Sequence, residues 1–266
     1  MFRPSSLVIF FFGVLLGQIT SACSLSPWTS ALGLTSTDTG EPSDGFSRYS
    51  GRCSLRVNGP NKYVQDNSPV NATTYFARFY VNTGTLANAD IFKALDAANS
   101  TVIRVSYNAG ALSFFVRGAV TQPADIPADA GRWYSVELEW AQGAASDFRV
   151  KVQGNGGAAV VAPVTAINSA SDTINNVQLG MINAGASGQG FFDGFSSRRN
   201  APPGRLCRGD ANGNGLIQGS DRVAISNEIA GTIATGRPDC NENGAVQGAD
   251  RVCVSNLILA GATCAP

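Results

Sequence analysis

Two stretches near the C-terminus carry oxygen-bearing side chains at intervals that suit cation chemistry. Asp210, Asn212, Asn214 and Asp221 stand at positions 1, 3, 5 and 12 of a loop, with Gly215 at position 6. The same set recurs 29 residues later as Asp239, Asn241, Asn243 and Asp250 around Gly244. Ca²⁺ takes about six to eight hard oxygen ligands at roughly 2.3–2.6 Å, and glycine at position 6 permits the sharp turn between them. Position 7 would add the backbone carbonyls of Leu216 and Ala245, and Gln218 and Gln247 fall where a water bridges to the ion. Two carboxylates per loop balance one divalent charge, so the spacing predicts two bound Ca²⁺ ions. Aligning 210–229 with 239–258 gives 12 identical positions in 20, which makes the pair an internal duplication rather than two chance turns.

Other chemistry is sparse. Histidine is absent, which excludes Ser-His and Cys-His nucleophilic mechanisms and His-ligated zinc. Lys+Arg and Asp+Glu are both 19, so the formal charge is zero; no basic stripe calls for a nucleic-acid partner. Glu137 and Glu139 share one phase of an alternating run, and paired carboxyls are what glycoside hydrolysis requires. The opposite phase, Tyr134, Val136, Leu138 and Trp140, is the apolar face of a half-buried strand, for which Glu137 and Glu139 supply the solvated side. No residue is assigned a catalytic role.

The elements that position these residues follow from periodicity. After each loop a short helix is expected, Arg222–Ile229 and Arg251–Ile258. Val223, Ile225 and Ile229 are expected to pack there against Val252, Val254 and Ile258. Upstream, period-2 alternation marks strands at Thr74–Val81, Ile103–Tyr107, Leu112–Val116, Trp133–Trp140 and Phe148–Gln153. Further strands are expected at Val160–Val164, Asn176–Ile182 and Gly190–Arg198. Asn108-Ala109-Gly110 predicts a hairpin turn. Aromatics on the more polar phase (Phe76, Tyr80, Trp133, Phe192) suit core packing better than a sugar platform. Evenly spaced strands over 45–199 predict a two-sheet all-β sandwich. Residues 23–44, rich in Ser, Thr, Gly and Pro, read as a flexible tether, 200–206 as a linker and 207–266 as the duplicated module.

Residues 1–22 read as a secretory signal: Arg3 precedes the apolar run Leu7–Leu16, which is too short for a bilayer that needs roughly 20 residues. Export suits the cysteines. Cys207, Cys240, Cys253 and Cys264 allow three connectivities; Cys207–Cys264 with Cys240–Cys253 is favoured because it clamps both ends of the module. Ile19–Cys23 resembles a permissive bacterial lipobox, which implies a lipid on Cys23 and a membrane association through that anchor alone. Plain cleavage after Ala22 is the alternative, and it leaves Cys23 free to pair with Cys53.

Two family resemblances follow from these residues. Gly131–Trp140 and Phe191–Arg199 are similar to strands of concanavalin A-like (laminin-G-like) jelly rolls, which implies that fold and a glycan ligand. The duplicated loop–helix units ending in Asp221 and Asp250 resemble the dockerin module. That implies ion ligation by the residues named above and docking to a cohesin-like protein. At loop positions 10 and 11, however, Gly219-Ser220 and Gly248-Ala249 lack the hydroxyl pairs that such docking uses. The combined expectation is an exported, non-catalytic modular protein. Its alternatives are a divergent extracellular glycoside hydrolase, or a component of polysaccharide breakdown, and an envelope or adhesion protein.

Overall fold

The computed structural model describes residues 23–264, so the signal segment lies outside the described residues. The chain folds as two antiparallel sheets of seven strands each, packed face to face, followed by two helices. The first sheet runs, in spatial order, β1 (Ser30–Leu32), β4 (Lys62–Asp66), β13 (Asn176–Met181), β6 (Ala89–Leu95), β7 (Thr101–Asn108), β8 (Ala111–Val116) and β9 (Ile126–Pro127). The second runs β12 (Ala159–Ile167), β11 (Ser146–Gly154), β10 (Trp133–Ala141), β5 (Thr74–Asn82), β14 (Gln189–Arg198), β3 (Ser54–Asn58) and β2 (Thr39–Gly40).

Alternation decides which residues fill the space between the sheets. Val136, Leu138 and Trp140 of β10 lie in one core with Tyr75, Ala77, Phe79 and Val81 of β5 and Phe148 and Val150 of β11. Each large apolar side chain removed from water there contributes roughly 1.5–3 kcal/mol. The β7–β8 hairpin pairs Asn108 with Ala111 across a two-residue turn, with Ala109 and Gly110 both at positive φ, as a tight hairpin requires.

Several expectations need correction. Residues 23–44 are not a tether. They add an edge strand to each sheet, Trp28 packs on Phe195 with ring centroids 5.0 Å apart, and Leu25, Ala31 and Leu34 cover the core. Cys23 is disulfide-bonded to Cys53, so its sulfur is not free to form the thioether that a lipid anchor needs. Residues 200–206 are held rather than loose: Arg78 donates to the Gly204 carbonyl at 2.8 Å, and the Leu206 N–H donates to the Tyr80 hydroxyl at 2.7 Å. The other two disulfides join Cys207 to Cys264 and Cys240 to Cys253.

The helices, α1 (Gly219–Ile229) and α2 (Gly248–Leu259), pack through fewer residues than periodicity suggested. Ile225 and Val254 are fully buried with Ala211 and Cys240, whereas Val223 and Val252 are 58% and 59% exposed, and Ile229 and Ile258 also reach solvent. Val223 lies two residues from Ile225, roughly 200° around the helix, so the two cannot share a face.

Candidate metal centre and its seat on the sandwich

Each loop wraps its own acidic side chains with backbone N–H groups, and the two copies match contact for contact. In the first, the Asp210 carboxylate accepts from Asn214 N–H at 3.0 Å and Gly215 N–H at 2.8 Å, while Asp221 accepts from Asn212 at 3.1 Å and Gln218 at 2.8 Å. In the second, Asp239 accepts from Asn243 at 3.1 Å and Gly244 at 2.8 Å, and Asp250 from Asn241 at 3.0 Å and Gln247 at 2.9 Å. Gly215 and Gly244 take φ of 83° and 87°, the left-handed conformation that favours glycine at the turn. Asp221 and Asp250 also sit in the first turns of α1 and α2, where a carboxylate meets unpaired helix N–H groups.

The electrostatics of the loops are unbalanced. Asp221 and Asp250 are fully buried and Asp210 is 8% exposed, yet among the described residues no Lys or Arg pairs with Asp210, Asp221, Asp239 or Asp250. Burial raises the Asp239 carboxyl above its ordinary value against the lowering effect of its N–H donors, and neighbouring Asp250 raises it further. A buried carboxylate without a counter-charge is costly unless a cation joins it. The donor set is all oxygen: two carboxylates, two amides and one backbone carbonyl per loop, the set a hard divalent ion prefers. These residues fit Ca²⁺. By contrast, Cys23, Glu41 and Cys53 lie close together without forming a site, because both sulfurs are consumed by their disulfide.

The module is seated on the outer face of the second sheet. Arg237 lies 4.5 Å over the Tyr49 ring, and Tyr49 stacks on Tyr80 at 3.7 Å and meets Trp133 edge-on. Burial lowers the Arg237 guanidinium to about 10, even with Tyr49 and Tyr80 favouring its charge. Glu242 pairs with Arg237 and, at 2.7 Å, with Arg205, and it accepts from the Gly156 N–H of the β11–β12 turn. Arg48 pairs with Glu228 and donates to the Ala234 carbonyl, and Gly51 N–H donates to Gly236 at 2.8 Å. Sequence reasoning missed Arg48, Arg205, Arg237, Glu228 and Glu242. A signal was present: the repeats set Gly213 against Glu242 and Glu228 against Leu257, and the two glutamates are the acids that dock.

This seating explains why both phases of β5 are buried. Tyr80 and Trp133 pack under Tyr49 and Leu206, so they are core rather than a sugar platform, and Phe192 lies in the main core. Glu137 and Glu139 face Lys151 and Arg149 across β10–β11, at 3.3 Å and 3.9 Å. Gly219, Ser220, Gly248 and Ala249 are exposed at the helix starts, and Ser220 Oγ accepts from the Asn212 side chain at 2.7 Å.

No family model and no curated protein matches the chain. Solved structures similar to it include endo-beta-1,4-glucuronan lyase from the fungus Trichoderma reesei, at 14% identity and TM-score 0.46 over 66% of this chain and 92% of that one. The catalytic domain of the glycoside hydrolase family 131 protein from Coprinopsis cinerea is similar at 13% identity and TM-score 0.41, over 69% and 87%. The PL-14 alginate lyase from Aplysia kurodai is similar at 8% identity and TM-score 0.39, over 56% and 83%.

Proposed function

We propose that this is an exported, non-catalytic modular protein in which a concanavalin A-like sandwich binds a glycan and a dockerin-like module, stabilised by two Ca²⁺ ions, docks to a protein. The observation that carries the ion assignment is the pair of fully buried carboxylates, Asp221 and Asp250, each held by backbone N–H groups of its loop and lacking a cationic partner among the described residues. Asp210, Asn212, Asn214, Asp221 and the Leu216 carbonyl would hold one ion. Asp239, Asn241, Asn243, Asp250 and the Ala245 carbonyl would hold the other. Each ion supplies the missing positive charge and ties a helix start to its loop, which suits a segment whose apolar core is small.

Three disulfides support an oxidising compartment. The exposed, duplicated Val223 and Val252 support a docking role, whereas the exposed Gly219, Ser220, Gly248 and Ala249 do not support a cohesin-like partner. The glycan reading rests on the resemblance of Gly131–Trp140 and Phe191–Arg199 to laminin-G-like strands. The cross-strand ion pairs of Glu137 and Glu139 support leaving them out of catalysis.

Calorimetric titration of the full chain with Ca²⁺ should count two ions, and Asp221→Ala or Asp250→Ala should each remove one. A flat titration, together with a melting temperature indifferent to chelator, would overturn the ion assignment. A glycan array that stays blank would overturn the sandwich's role.

A further inference from the structure

The contacts between module and sandwich are organised around the ion loops themselves. Arg237 is placed by the first loop: its N–H donates to the Asp210 carbonyl at 2.7 Å, next to Gly236 N–H on the Ala211 carbonyl. So close is this lacing that a Cβ on Gly236 would lie 2.2 Å from the Asp210 oxygen. Glu242 is placed by the second loop, where it stands between Asn241 and Asn243. The buried Arg237–Glu242 ion pair therefore joins a residue laced to the first loop with a residue of the second, and each partner also touches the sandwich, Arg237 through Tyr49 and Glu242 through Gly156.

Glu242 is also costly where it stands. Its φ is 62°, in the left-handed region, and the equivalent residue of the first repeat is Gly213 at 74°. A side chain other than glycine, Asn or Asp is disfavoured in that region, so something must hold it. What holds it is the docking contact. The interface itself is not a continuous apolar core: the module has its own buried cluster around Ile225 and Val254, apart from that of the sandwich. A cavity of about 630 Å³, lined by Arg48, Tyr49, Trp133, Glu228, Asp239 and Glu242, lies between the two. Such a joint can open without unfolding either side.

We infer that the module is a calcium-dependent clasp: ion binding in the two loops fixes Arg237 and Glu242 in register and so closes the module onto the outer face of the second sheet. The inference rests on the ion assignment above. Without the ions, the loops lose the geometry that brings Arg237 and Glu242 together, and the module swings away beyond Leu206, which Tyr80 keeps fastened to the sandwich.

Hydrogen exchange on the full-length protein, with Ca²⁺ alone or with chelator, tests it at the two sandwich amides that donate across the joint, Gly51 and Gly156. Ca²⁺ should slow exchange in peptides covering both by at least ten-fold. Glu242→Gly restores the first repeat's residue, so calorimetry should still count two ions while Gly156 exchanges at its chelator rate. Glu242→Gln, which keeps an acceptor and loses the charge, should fall between. Peptides from α1 and α2 should keep their protection with chelator; if they lose it together with Gly51 and Gly156, the module unfolds rather than opens and the clasp is overturned. Equal protection with and without chelator, in a protein that calorimetry shows to bind two ions, would overturn the clasp and leave the ion assignment standing. A wild-type protein that binds no ions would overturn both.

Discussion

Asp193 on β14 accepts from the N–H groups of Tyr49 at 2.7 Å, Ser50 at 2.9 Å and Gly194 at 2.6 Å, fastening the 49–50 segment to the second sheet. Burial nonetheless pushes its carboxyl up from the ordinary 3.8 to about 6, because the N–H donors only partly offset lost hydration. A group whose folded value is raised holds its proton longer in the folded chain than in the unfolded one. Its contribution to stability is therefore full below 3.8 and is lost as pH rises through about 6. Urea midpoints measured from pH 3.5 to 7 should contain this falling component, and Asp193→Asn should remove it. An unchanged pH profile in the variant would show that another group is responsible.

At the scale of elements, the bulge in β14 does the positioning. Pairing with β5 slips between Asp193 and Ser196, and Gly194 takes φ of 54° there. Its carbonyl accepts from Arg78 Nε and Nη2, while Arg78 Nη1 reaches Gly204, so one guanidinium ties the bulge to the segment that leads into the module. A Cβ on Gly194 would lie 2.8 Å from the buried Tyr80 ring. Gly194→Ala should accordingly lower stability by roughly 1–3 kcal/mol in chemical denaturation, from the left-handed backbone alone or with the clash added. A change within a few tenths of a kcal/mol would refute the positioning role of this glycine.

The same elements show what a linear reading captures. The alternation of β10 and β11 located buried faces, and the Asx and glycine spacing located two loops of matching conformation, because such signals are local. The edge strands Ser30–Leu32 and Thr39–Gly40 left no trace. They are too short for periodicity, and they exist through long-range ties, the Cys23–Cys53 bond and the packing of Trp28 on Phe195. β6 escaped for a different reason: irregular pairing after Asp90 buries Ile91 and Phe92 together, which breaks the period-2 pattern. The Arg–Glu contacts of the joint were likewise invisible individually, although the differences between repeats pointed to their acidic halves.

At the scale of the whole molecule, stability is divided unequally. The sandwich rests on an extensive apolar core, whereas residues 207–264 combine a small cluster with two disulfides and the proposed ions. Closing a loop of this length restricts the unfolded chain by about 4 kcal/mol in the chain-entropy account. Reductant and chelator together should melt α1 and α2 while the β signal in circular dichroism persists; simultaneous loss of both would mean that the halves fold as one unit. The bond from Cys207 to Cys264 also makes everything between them a covalent ring, joined to the sandwich by the main chain at Cys207. A protease that nicks the turn at Gly231 should therefore liberate no peptide, and electrophoresis should resolve the severed piece after thiol treatment alone.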